Sequence, residues 1–490
     1  MEDRDSYRML LGMLDSLAHG THFTSPLLYN RQVSFGYYSL IYALTAIFGH
    51  SAATIIAVMN AVSLVSAVLF VIPFYLVVER LFDRNTAIAA CVILPLVPDW
   101  WNSALYGHPN MPGMLLFFSG LALLARSAKV GLAVRLGSVL LIAAALSFRF
   151  DLILLFPAIA AVILSRDSRL AVGARRTIFY VIGAIVIFKL IQFTLPPLHG
   201  GPRPESMFVL LHRYQSPSRF FGSRAGFVRP FAAVGGAFGP LLLLLIVPAC
   251  WILLRRKNFP QTLFTVAVIA IQIVFWLPNP TPVRHYIPMG PAVAVTASMS
   301  GVWFLSWVAA SRLRAIHAWA SGIIIAVVCT AVSVGLHWAP GRAGKLDSPF
   351  WFRFSLDDYQ RRASRIALDL IALRGPNQPL LVLCDSNFVA GRMQTLVHGV
   401  SVKLHQYRLA DGVPYVFHQV DYGGRTFMML EESFYGFIVD DALDRKRLYP
   451  NDPVLVDPYN PLVHYNGPRL RAYLERTPEG ERIQTAVSSR

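Results

Sequence analysis

Apolar residues fill the first two-thirds of the chain in long blocks, separated by short polar or basic stretches. Crossing a bilayer as a helix takes about 20 mostly apolar residues. Blocks that reach or approach this length lie at 53–79, 86–105, 111–126, 130–148, 150–165, 177–195, 231–254, 261–278, 285–309 and 316–338. The pattern predicts about ten spans, some short or interrupted by Pro. The stretch 33–49 (VSFGYYSLIYALTAIFG) is short and rich in aromatics, which suits a helix lying in the membrane interface. Trp100 and Trp101 read as interfacial anchors.

Beyond residue 340 the pattern changes. Pro340, Gly341 and Gly344 mark a linker. Residues 356–374 carry Leu, Ile and Ala at helical spacing and predict an amphipathic helix. PLLVLCDSN reads as a buried strand entering a loop, and YVFHQVDYGGRTFMML and FIVDDAL as further strands. The expected fold class is therefore mainly α: a polytopic helical membrane protein with a small C-terminal α/β domain outside the membrane. Its expected parts are an external segment with juxtamembrane helices (1–50), a transmembrane domain (51–339) and the α/β domain (340–490). No Walker or GxGxxG pattern follows the strand at PLLVLC, so nucleotide binding has no support there. A lid or acceptor-docking role is the plainer expectation.

Composition and charge sharpen this picture. The chain has 490 residues, of which 55% are hydrophobic and 14% charged. A soluble protein carries about 25% charged residues, which argues against an ordinary cytosolic enzyme. The net charge of +17 would suit a nucleic-acid binder, but the basic residues cluster between apolar blocks. Arg80/Arg84, Arg126/Lys129/Arg135, Arg166 to Arg176, Arg255 to Lys257 and Arg312/Arg314 fall in every second loop, which assigns those loops to the cytoplasm. The alternate loops, 99–110, the turn at Arg149–Asp151, 195–230 and 278–284, then face outward, as do both chain ends. The long loop 195–230 holds several Arg, and long loops obey the rule poorly. The polar start at Met1 needs translocating, so the scaffold expects an apolar helix upstream of it. Cys91, Cys250, Cys329 and Cys384 have neither CxxC nor zinc-finger spacing.

The residues suited to chemistry gather in the outward segments. Asp3, Asp5 and Tyr7 precede a helical pattern; they read either as a helix cap or as a carboxylate held above the bilayer as a general base. Arg149 is a phosphate-binding candidate, or else snorkels or pairs with Asp151. Arg284, His285 and Tyr286 are substrate-binding candidates or interfacial anchors. His108, beside Pro109, either bonds substrate or is loop polarity. The His residues show no HExxH spacing, so a zinc hydrolase has no support.

Taken in order, DRDSY (Asp3 to Tyr7), HFTSPLLY, the aromatic helix ending Phe48-Gly49, ERLFDRN, YGHPN, SFRFD and PVRHYIP resemble the GT-C membrane glycosyltransferases. This group holds the lipid A aminoarabinose transferases and protein O-mannosyltransferases, and the resemblance covers roughly residues 1–310. It implies an inverting transfer of a sugar from a polyprenyl phosphate to a lipid, polysaccharide or protein acceptor, on the external face of a bacterial inner membrane. It makes Asp3, four residues before Tyr7, the base, with Asp5 as the fallback. It implies that Tyr7, His108, Arg149, Arg284, His285 and Tyr286 hold substrate or phosphate. No cofactor is required; a divalent cation is compatible but unsupported, because Asn110 stands where relatives commonly have a second carboxylate. Two other classes compete. A flippase or transporter for a lipid-linked glycan predicts internal repeats and mid-membrane polar groups, and no half-to-half repeat is visible. A noncatalytic assembly protein on the same scaffold would tolerate loss of the carboxylate.

Overall fold

The computed structural model describes residues 4–18, 31–126, 131–166, 170–198, 234, 238, 240–276, 283–308, 323–324, 358–372, 380–384, 386–408, 414–431 and 463–465. The chain begins with the amphipathic helix α1 (Arg4–Ala18) and α2 (Arg31–Phe48), which kinks at Ser34. The apolar block 53–79 becomes one rod, α3 (Ala52–Leu69) running into α4 (Val71–Leu81). Ser51 caps its start by accepting from the Thr54 amide at 3.1 Å. Asp83 caps α5 (Arg84–Ile93) in the same way, accepting from the Thr86 amide at 2.8 Å and the Thr86 hydroxyl at 2.9 Å.

The block 86–105, expected as one span, is broken. Pro95 sits in a 3₁₀ turn, Leu94–Leu96, and Pro98 opens a separate short helix, α6 (Pro98–Leu105). Proline has no N–H to continue a ladder but suits the first turn of a helix, so the chain stops and restarts there. The turn-helix sequence carries Trp100 inward, contrary to its expected place as an interfacial anchor. Its ring lies 5.1 Å from that of Phe70, which stands 4.8 Å from Phe118.

Next come α7 (Asn110–Arg126), α8 (Leu132–Phe148), a 3₁₀ turn at Phe150–Leu155, α9 (Phe156–Leu164) and the long α10 (Leu170–Leu198). Later helices cover Pro240–Leu244, Ile246–Arg256, Phe259–Trp276 with a π-helical stretch at Leu263–Ala267, and Gly290–Val308 after a 3₁₀ turn at Val283–Met289. Among the described residues, four helices are long and apolar enough to cross a membrane: Ala52–Leu81, Leu170–Thr194, Phe259–Trp276 and Tyr286–Phe304. The other apolar helices are shorter, and apart from Ile323 and Ile324 the block 316–338 lies outside the described residues. Exposed Ile178, Phe179, Ile182, Val186 and Leu190 line one side of α10, an apolar outer surface suited to lipid.

α7 and α8 form an antiparallel hairpin whose backbones meet at Gly120. A Cβ there would stand 2.8 Å from Ile142 Cγ1 and 3.0 Å from the Ser138 carbonyl oxygen. The Ser138 hydroxyl donates to the Gly120 carbonyl at 2.9 Å. Small residues permit this approach, which is how helices gain contact in lipid. Gly120→Val is expected to lower the unfolding midpoint in detergent, at a cost of about 1–3 kcal/mol typical of overpacking.

The C-terminal part is α/β. Helix Asp358–Ala372 precedes β1 (Leu380–Cys384), helix Ser386–Leu396, β2 (Ser401–Arg408), β3 (Pro414–Tyr422), β4 (Arg425–Glu431) and β5 (Val463–Tyr465). The sheet order is β2-β3-β4-β1-β5, with β1 and β4 parallel and the other neighbours antiparallel. Gly423 (φ 60°) and Gly424 (φ 77°) make the tight turn of the β3–β4 hairpin, where a left-handed backbone favours glycine. The expected strand FIVDDAL lies outside the described residues.

Two apolar cores result. One fills the helical bundle. The other joins α1, α2, the first half of α3 and Phe148 at the end of α8 to helix Asp358–Ala372, helix Ser386–Leu396 and the sheet. The chain is thus a mainly α, membrane-type helical body carrying a small α/β unit on one end.

Candidate active site

Arg149 stands where α8 ends. Its backbone leaves the helix (φ −154°, ψ 106°) and leads into the 3₁₀ turn Phe150–Leu155. Two glycines on neighbouring helices let this corner sit close. A Cβ on Gly36 of α2 would stand 2.2 Å from Ser147 Oγ and 3.0 Å from Phe148 Cδ2. One on Gly113 of α7 would stand 3.2 Å from Leu152 Cδ1 and 3.6 Å from Arg149 Cβ.

The corner is buried: Arg149 is 6% exposed, Asp151 3% and Asn110 3%. The guanidinium grips Asp151 with two parallel bonds, Nε to Oδ1 at 2.5 Å and Nη2 to Oδ2 at 2.6 Å. Nη1 donates to Asn110 Oδ1 at the start of α7, and Asn110 Nδ2 donates to Ser103 Oγ of α6 at 3.3 Å. Such a fork-on-carboxylate pair fixes the plane of the guanidinium. The pair with Asp151, one of the readings open for Arg149, is present.

His108 is buried, and its backbone is pinned to α3: the His108 amide donates to Ser63 Oγ at 3.1 Å, and that hydroxyl donates to the His108 carbonyl at 2.9 Å. Gly107 makes the approach feasible, since a Cβ there would lie 2.5 Å from Met59 Cβ. The His108 ring stands 6.3 Å from Tyr106. The turn Val283–Met289, bearing Arg284, His285 and Tyr286, packs against α6, α7, Phe150–Leu155 and helix Val268–Trp276. Tyr286 is fully buried; the side chains of Arg284 and His285 lie outside the described residues. Three of the loops expected from the sequence to share one side, 99–110, Arg149–Asp151 and the one that ends in the turn Val283–Met289, therefore converge; most of 195–230 lies outside the described residues.

Of the N-terminal candidates, Tyr7 alone has a described side chain. Asp3 is outside the described residues, and of Asp5 only its backbone place in α1 is described. Tyr7 is fully buried, with its ring edge-on to Phe388 at 4.8 Å and its hydroxyl accepting from Arg392 Nη1 at 3.4 Å. It is turned into the helix Ser386–Leu396.

Three participants escaped the sequence reading: Ser103, Arg392 and Gln272. Gln272 is fully buried on helix Val268–Trp276, and among the described residues neither amide atom has a hydrogen-bond partner. A lone Gln inside AIQIVFW was the available signal for it. Ser103 and Arg392 carry no comparable mark. Among the described residues no group of three or more His, Cys, Asp or Glu converges.

No protein-family model matches the chain, and no curated protein matches it. Among solved structures it is similar to ArnT from Cupriavidus metallidurans in the apo state, with 16% identity over 79% of each chain and a TM-score of 0.47. The same protein bound to undecaprenyl phosphate gives 16% identity over 80% of each chain and a TM-score of 0.44. A third similar structure is the archaeal oligosaccharyltransferase AglB from Archaeoglobus fulgidus, in complex with an inhibitory peptide and a dolichol-phosphate; it gives 12% identity over 80% of this chain and 59% of that one, with a TM-score of 0.42.

Proposed function

We propose that the chain is an inverting membrane glycosyltransferase, moving a sugar from a polyprenyl-phosphate carrier to a lipid, polysaccharide or protein acceptor on the external face of the membrane. One observation carries this reading: segments scattered over some 190 residues, each placed on the same side by the basic loops, meet in one buried polar corner. A carrier whose lipid tail lies in the bilayer presents its phosphate at this level, so the enzyme needs no nucleotide-binding fold.

In this reaction Asp3, with Asp5 as the fallback, takes the proton of the acceptor hydroxyl as that oxygen attacks the anomeric carbon. Attack comes from the side opposite the phosphate, so configuration inverts. The departing phosphate gathers charge, and oriented cations that need no reorganisation stabilise it. Arg284 at the turn Val283–Met289 and Arg149 at the end of α8 supply them, with Asp151 and Asn110 holding Arg149 in place. In this reading His108, His285 and Tyr286 contribute contacts to the substrate, and Tyr7 supports the base.

A second reading, a noncatalytic scaffold, draws on one feature: the Arg149 guanidinium is already gripped by Asp151. Transfer of label from a radiolabelled polyprenyl-phosphate sugar by the purified full chain in lipid tests the two against each other. Label retained entirely on the carrier, across a panel of sugars and acceptors, sinks the transferase reading. Orientation has its own check. A cysteine introduced at Phe48, which is 66% exposed, is expected to react with a membrane-impermeant maleimide added outside intact cells; labelling only after lysis would contradict the external assignment.

A further inference from the structure

Tyr7 is seated on the C-terminal unit by successive positions of one helix face. Phe388, Gly391 and Arg392 of helix Ser386–Leu396 stand at i, i+3 and i+4, the spacing that brings side chains together on one side. Phe388 meets the Tyr7 ring edge-on, 4.8 Å between centroids. At Gly391 the ring lies against bare backbone: a Cβ would come within 2.3 Å of Tyr7 Cδ1, 2.8 Å of Cγ and 2.9 Å of Cβ. Arg392 reaches the far end of the ring and donates to the hydroxyl at 3.4 Å. Around this seat Met9, Leu10, Leu11 and Met13 of α1 share a core with Val389, Ala390 and Met393. The fit is specific to an aromatic ring with a hydroxyl at position 7.

Asp5 lies in the first turn of α1, two residues before Tyr7, and in the sequence Asp3 comes one residue before the helix's first residue, Arg4. A helix turns by 3.6 residues with a rise of 1.5 Å per residue, so fixing the Tyr7 ring fixes both the rotation and the height of that carboxylate end. We infer that Tyr7, Gly391 and Arg392 form a positioning device through which the C-terminal α/β unit fixes the carboxylate-bearing end of α1, and with it the general base. This rests on the transferase reading above. Arg392 is a positioning residue here, acting through Tyr7 without touching the reacting atoms. The C-terminal unit thereby becomes part of the catalytic geometry, and its docking on α1 governs turnover.

The test uses the full chain in lipid with a labelled polyprenyl-phosphate sugar, reading kcat and donor KM separately. Arg392→Ala and Tyr7→Phe are each expected to lower kcat by about ten- to a hundredfold, the scale of a small misplacement of a reacting group, with donor KM within about twofold. The double variant is expected to lose no more than either single change, and Arg392→Lys to recover part of the loss. Gly391→Val, which drives the ring off its seat, is expected to lose at least as much; if it does not fold, the side-chain variants decide. Unchanged kcat in Arg392→Ala overturns the proposal, as do additive losses in the double variant. A loss confined to donor KM also overturns it, by making Tyr7 a substrate contact. Asp3→Asn and Asp5→Asn run in parallel separate the two claims. No transfer by the parent chain sinks the transferase assignment itself; full activity in both Asp variants puts the base elsewhere and removes the premise of the seat, whereas loss in either beside fully active Arg392→Ala and Tyr7→Phe sinks only the seat.

Discussion

Arg149→Ala is expected to abolish sugar transfer and to destabilise the protein by about 3–5 kcal/mol, the usual cost of leaving one member of a buried ion pair alone. Asp151, 3% exposed, would keep its carboxylate in the corner without the two guanidinium bonds that now satisfy it. Asn110 would lose a donor at the same time. Thermal unfolding in detergent reads the stability change, and label transfer reads the activity. The two effects separate in Arg149→Leu/Asp151→Leu, because replacing both members of a buried pair by apolar groups is often neutral or stabilising. The double variant is expected to recover stability while remaining inactive. Recovery of transfer along with stability would reduce Arg149 to a structural member of its pair.

Asp3→Asn is expected to lower transfer by about 10²–10⁴, the range that a positioned general base contributes. Asn keeps the size and much of the hydrogen bonding of the carboxylate but cannot take the acceptor proton, so the unfolding midpoint should stay close to that of the parent. Asp5→Asn, two residues on, is the internal comparison: the larger loss identifies the base. A chain that transfers sugar equally well in both variants has its base elsewhere.

Much of the helical body is legible in the sequence because lipid demands a long apolar block for each span. In the structure Asn110–Arg126 and Leu132–Phe148 have equal lengths, so their antiparallel hairpin returns residue 149 to the level of residue 110, a match that the expected blocks 111–126 and 130–148 did not give. The bond from Arg149 to Asn110 joins the two there. Local reading failed where a residue type has two apolar destinations. Trp100 suits an interface by chemistry, but the restart of the chain at Pro98 carries it into the core. The amphipathic helix near 356–374 and the strand at PLLVLC emerged within a few residues of their expected bounds, because periodicity and β-branching are local signals. The Tyr7–Arg392 contact joins residues 385 positions apart and rests on a glycine notch that leaves no mark in either segment.

The pairing at the end of α8 has an electrical consequence. A lone arginine carried through the full transmembrane potential would exchange about 2.3 kcal/mol per 100 mV. With Asp151 two residues away holding the opposite charge, the turn is close to neutral as a unit, and a voltage across the bilayer has little on which to pull. The paired turn therefore feels much the same force whether the membrane is energised or discharged.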